Sequence, residues 1–462
     1  MSQCCAGVLR TNLCTTSLNF TISRHFGRIV KRFPLYPDDK PIESIPEYAY
    51  GKPNKDKRQL FAWGLSEHGG LGILRQFRKG SRSRQTAPKY LHRPCRAQFG
   101  DLNRVTDVAC GFGFTLFSVC TNSSLKVYGS GINTDSQLGY QCQRKEAPLE
   151  LLLSPVPIRL PIEAKEHVAV VAAGRAHSLV LVEKEKGKGG RVLAFGNNSY
   201  GQCGRAVEEG EQYLGSHRVN CIDGVGDAAV RSVSCGQDHS LFINAKGELF
   251  ACGWGDDGQT GQSAPGKLGR PSKVKGALEG VDVLKAVSSG DCNLAINDSG
   301  DLFGWGNSEY GQLLQPNTTQ VYSPIKLDLQ EVGPVIDVAA GGSFCAVLNE
   351  KNQIWVWGFG LLGLGPKVVQ IGKPQMIPET LLGQSDFAWR KTRITSIQAG
   401  LFHLAAVSAE GDLFTWGRNK EGCLGLGHTR DQPFPLRVAI GASVLKVSCG
   451  VDHMAAVCKP FF

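Results

Sequence analysis

No run of about 18 apolar residues occurs anywhere in this 462-residue chain, so no segment reads as a membrane-spanning helix. Its 16 cysteines include no Cys-x-x-Cys pair, which removes the usual zinc and thioredoxin-type signals. No Gly-x-x-x-x-Gly-Lys-Ser/Thr loop is present to cradle a phosphate. No nucleophile–base pair or metal-spaced cluster stands out, so hydrolytic chemistry is not expected, nor is a cofactor or a metal. Acidic residues are missing altogether before Asp38.

That last absence is paired with positive charge from Arg10, Arg24, Arg28, Lys31 and Arg32, frequent Ser and Thr, and scattered Leu, Phe and Ile. The continuous apolar core of a secretory signal is missing. The composition points to a mitochondrial transit peptide over residues 1–37. Residues 38–58, with Pro and mixed charge, read as a linker, and 59–459 as the folded unit.

What is abundant is Gly, 57 residues, alongside many short apolar runs. Tight turns between short strands require that combination, so the expected class is all-β. One phrase recurs: an apolar strand, Gly-x-x-His or a variant, an alternating strand, a turn, a strand ending in Trp-Gly, then Gly-Gln-Leu-Gly. The first half of the phrase is carried at Gly111, Gly174, Gly236, Gly290, Gly341, Gly400 and Gly450. Its second half is carried at Gly64, Gly129, Gly196, Gly253, Gly306, Gly358 and Gly417. The N-terminal copy (LFAWGLSEHGGLG) has only the second half, and the C-terminal copy (VLKVSCGVDHMAAV) only the first. The halves are complementary, so the C-terminal strand is expected to complete the blade that the N-terminal strand begins. The result is a seven-bladed β-propeller whose ring has no free sheet edge. Trp63, Trp305, Trp357 and Trp416 are the expected wedges between blades, with Tyr128, Phe195 and Cys252 in their place elsewhere. Cys110, Cys235 and Cys449 stand where other repeats carry small residues, and read as buried free thiols.

The phrases GRAHSLVL, GQDHSLFI, LFGWGNSEYGQL and LFTWGRNKEGCLG resemble the signature of the regulator-of-chromosome-condensation (RCC) family over about Leu60 to Val457. Stretches such as GNNSYGQCG, CGWGDDGQTG and CGVDHM are similar to a mitochondrial member of that family. The resemblance implies a binding platform in the mitochondrial matrix or on the matrix face of the inner membrane, reached without a membrane span. It implies two roles: guanine-nucleotide exchange on a dynamin-related GTPase of inner-membrane fusion, and RNA-binding support of large mitoribosomal subunit assembly.

Residues for each role can be named. His177, His239, His403 and His453 recur at one place, one per blade, and so cannot converge on a metal; Phe114, Asn293 and Phe344 hold the place elsewhere. They are expected to bond backbone between strands. Asp238, Asp291 and Asp452 fall in short loops that gather on one rim. By the resemblance, Asp238 with His239 and Asp452 with His453 match loops of the GTPase-contacting face; a turn-capping Asp is the plainer alternative. An exchange factor needs no nucleotide pocket, because preference for the nucleotide-free GTPase lowers nucleotide affinity by linkage. For RNA, the segment 75–104 carries Arg75, Arg78, Lys79, Arg82, Arg84, Lys89, Arg93, Arg96 and Arg104 against Asp101 alone, a net of +8 in a chain of net +10. Phe77, Tyr90 and Phe99 interleave with these charges as a single-strand contact could use, although a solvated basic loop has the same composition.

Overall fold

The computed structural model describes residues 57–73, 89–144, 147–316, 318–384 and 392–461. The presequence and nearly all of the linker lie outside these residues, as do Arg75, Arg78, Lys79, Arg82 and Arg84 of the basic segment.

Among the described residues the strands form seven four-stranded antiparallel blades, blades 3 and 4 being joined by a Gly190–Val230 pairing, and a small hairpin of Cys142–Arg144 with Ala147–Pro148. Blade 1 is built from both ends: Ser443–Cys449, His453–Lys459, Gln59–Leu65 and Tyr90–Ala97, in that order outward. Trp63 stands opposite Met454 and Gly64 opposite His453. Blade 2 runs Val105–Cys110, Phe114–Val119, Val127–Ile132, Leu151–Pro157, and blade 3 runs His167–Ala173, His177–Glu183, Gly190–Gly196, Asn220–Ile222. Blades 4 to 7 open with Val230–Cys235, Val283–Ser288, Val335–Ala340 and Ile394–Ala399, and repeat the order. These first strands face the axis, and six of the seven line a central cavity of about 260 Å³. The sequence's expectation of a ring closed by shared strands is met.

Packing explains why the second strands are buried throughout. Second strands such as Phe114–Val119, His177–Glu183 and His239–Asn244 are buried on both faces, flanked by other strands and by the next blade. Trp63, Trp305, Trp357 and Trp416 are fully buried between blades. Three indoles also donate across the blade junction, Trp63 Nε1 to the Cys423 carbonyl (2.7 Å), Trp305 to Gln259 (3.0 Å) and Trp357 to Gln312 (2.7 Å). Truncating such a residue costs about 3–5 kcal/mol.

Two carboxylates tie three blades each. Asp107 of blade 2 pairs with Lys446 of blade 1 and accepts from the Val171 amide of blade 3 at 3.1 Å. Asp337 of blade 6 pairs with Lys285 of blade 5 and accepts from the Ile397 amide of blade 7 at 2.8 Å.

The register corrects two sequence assignments. Phe114 pairs with Gly131 and Thr115 with Ser130, so Ser130-Gly131, not Tyr128-Gly129, holds the Trp-Gly place in blade 2. Backbone shape agrees: Gly64, Gly131, Gly196, Gly253, Gly306, Gly358 and Gly417 all have φ between 101 and 113°, and Gly129 does not share it. In blade 5, Cys292 pairs with Gly306 and Asn293 with Trp305. Cys292 therefore holds the His place, Ser289 the Gly place, and Asn293 is the following residue.

The basic segment is also not one loop. Residues 90–97 form the outermost strand of blade 1, and Phe99–Leu102 a short helical turn. Positive charge on an exposed edge strand discourages edge-to-edge pairing. Phe99 packs on Phe117 and Tyr128, with ring centroids at 5.5 and 5.0 Å, so it is not available to stack on a base. All 13 described cysteines are free, with Cys110 and Cys235 buried and Cys449 half-buried. Among the described residues no helix is long and apolar enough to cross a membrane.

Candidate functional site

In every blade the turn between the first two strands and the loop after the third strand meet on one face. The link is a backbone bond: Leu65 N donates to the Asp452 carbonyl, Trp254 N to Asp238 and Asn307 N to Asp291. Asp238, Asp291 and Asp452 thus occupy one blade position, immediately before the second strand. Their side chains have different partners. Asp238 is chelated by Arg175 from the neighbouring blade, at 2.5 Å to Nη2 and 3.1 Å to Nε. Burial pushes the Asp238 carboxyl up, and Arg175 opposes that. Asp291 accepts from Gln259 (3.1 Å) and Gln237 (3.2 Å). Asp452 accepts from its neighbour His453 Nδ1 at 2.9 Å. All three are bonded by neighbouring side chains.

The recurring histidines lie beneath this face. His239 and His453 are both 0 % exposed and cannot touch a docked partner, contrary to the sequence assignment, because the second strand is covered by the next blade. They bond side chains of the next blade. His177 Nε2 meets Ser240 Oγ (3.0 Å), His239 Nε2 meets Asn293 Oδ1 (2.7 Å) and His453 Nε2 meets Thr115 Oγ1 (2.8 Å). Each partner then donates to a loop carbonyl: Ser240 to Gln202 (2.7 Å), Asn293 to Gln259 (3.1 Å) and Thr115 to Gly70 (2.7 Å). The relay joins neighbouring blades just under the loop face and holds it in shape.

On that face, blades 2 to 6 carry a run of carboxylates and aromatics that the sequence reading passed over. Asp135, Asp256 and Asp257 are half-buried and Glu309 is exposed. Tyr200 packs edge-on against Trp254 (4.6 Å), and Tyr310 stacks on Phe359 (5.1 Å), the latter two well exposed. Lys267 sits 4.9 Å over the Tyr200 ring. These residues occur where the phrase varies, between its Trp-Gly and its Gly-Gln, as in GWGDDGQ and GNSEYGQ. That variation was the available signal. The opposite side of the face, in blades 7 and 1, carries Phe402 with Arg418 (5.2 Å to the ring), Lys420 and, on the edge strand, Arg93. Within the described part of the basic segment, Lys89 pairs with Glu67 at 3.5 Å and Arg96 with Asp101 at 2.7 Å. No group of three or more His, Cys, Asp or Glu suited to a metal occurs among the described residues.

Comparison with known proteins matches this architecture. The regulator of chromosome condensation (RCC1) repeat matches residues 59–118, 189–243, 299–348 and 410–457, and a second form of that repeat matches 230–259 and 394–423. A human protein named "RCC1-like G exchanging factor-like protein" is 44% identical over 416 residues, 87% of each chain. The crystal structure of human WBSCR16 superposes with a TM-score of 0.81 at 43% identity, covering 88% of this chain and all of that one. Yeast Prp20p, described with its binding properties to Gsp1p and histones, shares the fold at a TM-score of 0.69 and 20% identity, over 88% of this chain and 92% of its own. The chain belongs to the regulator-of-chromosome-condensation repeat family.

Proposed function

We propose that the chain is a guanine-nucleotide exchange factor or regulator that docks a GTPase on the loop face of blades 2 to 5. The observation that carries this is the acidic and aromatic sector around Asp135, Asp238, Asp256, Asp257 and Asp291, held rigid by the Arg175, Gln237 and Gln259 contacts. A GTPase that has lost its nucleotide exposes the donors that held the phosphates, backbone amides and a lysine. A fixed acidic face binds that state better than the loaded one, and linkage then lowers nucleotide affinity by the same factor. The printed name of the human relative, an exchanging-factor-like protein, supports the same reading. The presequence-like composition of residues 1–37 supports placing the partner in mitochondria, with a dynamin-related GTPase of inner-membrane fusion as the target and any contact with the inner membrane peripheral.

Release of a fluorescent guanine nucleotide from the purified GTPase tests this. Added propeller is expected to accelerate release about 5- to 150-fold, the range of ordinary coupling energies. Asp238→Ala and the double change Asp256→Ala with Asp257→Ala are expected to blunt the effect. No acceleration by the intact protein retires the proposal.

The alternative, an RNA-binding assembly factor for the large mitoribosomal subunit, rests on Arg75, Arg78, Lys79, Arg82 and Arg84. Reversing the charge of the last four is expected to abolish co-sedimentation with that subunit while sparing GTPase binding. Association that survives the reversal removes this segment as the contact.

A further inference from the structure

In blade 6 the loop after the third strand is shorter than in its neighbours. Leu313 of blade 5, Leu424 of blade 7 and Leu71 of blade 1 are buried eight residues past Trp305, Trp416 and Trp63. In blade 6 the buried Leu362 is five residues past Trp357. The next residue confirms the alignment: Gly261, Gly363 and Gly425 all have a positive φ, and a Cβ added there would lie 2.8–3.3 Å from the indole nitrogen of the next blade's Trp. Blade 6 therefore lacks three residues from the variable part of phrases such as GNSEYGQ. A second sign lies beneath the loop. Trp63, Trp305 and Trp357 each donate to a carbonyl of the preceding blade's loop. Trp416 Nε1, which faces the shortened loop, is buried without a hydrogen-bond partner.

Around this notch the loop face is apolar. Phe359 is 41 % exposed and stacks on Tyr310, and Val369, whose carbonyl accepts from Gly360 N at 2.8 Å, is 48 % exposed. Blade 7 supplies the other wall. Gly342 N donates to the Leu401 carbonyl at 3.0 Å, and the next residue, Phe402, is 43 % exposed. Phe402 holds the blade position of Asp238, Asp291 and Asp452, since Arg418 N donates to its carbonyl as Trp254 N does to that of Asp238. Charge changes sign across the notch. On the blade 5 side stand Asp291 and the exposed Glu309. On the blade 7 side a hollow of about 290 Å³ is lined by Phe402, Arg418, Lys420, Glu421 and Asp452. There Arg418 and Lys420 are exposed, Glu421 is half-buried and Asp452 is held by His453 at 2.9 Å.

We propose that this notch receives an apolar side chain of the docked GTPase, with basic residues of the partner toward blade 5 and an acidic residue toward Arg418 and Lys420. The inference rests on the reading of the loop face as a GTPase-docking surface, and it extends that surface into blades 6 and 7. Aromatic side chains that a partner covers in a recess carry much of the binding energy of a protein interface. Opposite charge on the two flanks favours one orientation and penalises its reverse.

Calorimetric titration of the full chain with the purified, nucleotide-free dynamin-related GTPase tests this, using two changes that copy other blades. Phe402→Asp takes the residue of blades 4, 5 and 1, and Phe359→Asn takes that of Asn307 in blade 5, so both variants are expected to melt as the parent does. Each is expected to weaken binding at least about tenfold. Each is also expected to shrink the negative heat-capacity change that apolar burial gives. Parent-like affinity in either folded variant, with the unaltered chain binding, overturns this proposal and leaves the docking reading standing. An unaltered chain that binds no GTPase overturns both. A dimer of the unaltered chain that Phe402→Asp dissociates in size-exclusion chromatography assigns the notch to a second copy, and overturns the proposal as well.

Discussion

Gly64 stands opposite His453 across the closing blade with φ +107°, and a Cβ added there would lie 2.5 Å from both the Asp452 carbonyl oxygen and His453 Cα. Six other glycines repeat the relationship in the other blades, each with a positive φ and backbone of the facing strand close by. Gly64→Ala carries both backbone strain and a clash with backbone that cannot step aside, so a loss above about 3 kcal/mol is expected. Gly372→Ala, on an outer strand with nothing within 4 Å, is expected to change stability by less than about 0.5 kcal/mol. Urea unfolding of the two variants decides it; equal midpoints would contradict the argument.

Ring closure was legible because a half-phrase at each end has only one partner. The blades were legible because Gly at a positive φ and Trp in a wedge leave repeated, spaced marks. What the sequence hid was the shift of one or two residues within a copy. KVYGSGI offers a Gly at both 129 and 131, and only the pairing of Phe114 with Gly131 shows which one turns the strand. SSGDCN likewise places a Gly one residue late, so Asn293 looked like a histidine substitute although it is the acceptor for His239. The basic segment misled for another reason: composition does not show that Tyr90–Ala97 is an edge strand, whose charges solvate one side and whose Leu91 and Ala97 are buried. Asp135, Asp256 and Asp257 lie in loops where the phrase varies, and only the fold brings them onto the face that carries Asp238.

Stability should fall on both sides of neutrality, by opposite signs at named groups. Burial lowers His177 to about 3 and His403 to about 4, and also lowers His239. The unfolded chain takes up protons near 6.5, so it binds more protons than the native state between 6.5 and about 4, and stability falls as pH drops through that window. His403 alone contributes on the order of 3 kcal/mol. His453 is the reverse case. Its folded value of about 10 gives a contribution that is complete below 6.5 and is lost as pH rises toward 10. Urea midpoints from pH 4 to 10 should trace an arch, and His453→Gln should flatten only its alkaline side. An alkaline limb unchanged in that variant would rule out the charged imidazolium.

Asp107 and Lys446 form an ion pair whose two ends are unequal. The carboxylate is 6 % exposed and also accepts the Val108 and Val171 amides, whereas the ammonium side chain is 44 % exposed. Asp107→Ala leaves buried amides without an acceptor and unties blades 1 and 3, an expected loss of about 3 kcal/mol. Lys446→Ala leaves a carboxylate still bonded to two amides, and the expected loss is below about 1 kcal/mol. Denaturant unfolding of both variants gives the order. A larger loss for Lys446→Ala would mean that charge, not amide satisfaction, is what the site supplies.

The last strand of the chain should matter more than its length suggests. His453–Lys459 lies between Ser443–Cys449 and Gln59–Leu65, bonded to both, and all its residues but Lys459 are buried. Gln59–Leu65 is likewise buried throughout. Removing 453–462 would leave two apolar edges facing each other across a gap, with Trp63 losing Met454. Open edges of that kind pair with other chains. The truncated protein is expected to elute as large aggregates in size-exclusion chromatography and to lose its cooperative melt, while removal of Pro460–Phe462 alone leaves both unchanged. A shortened chain that stays monomeric and melts within about 5 °C of the parent, a difference near 1 kcal/mol or less, would show that the ring does not depend on strand sharing for its closure. The loop face, whose geometry follows from seven blades held in register, would then need another source of rigidity.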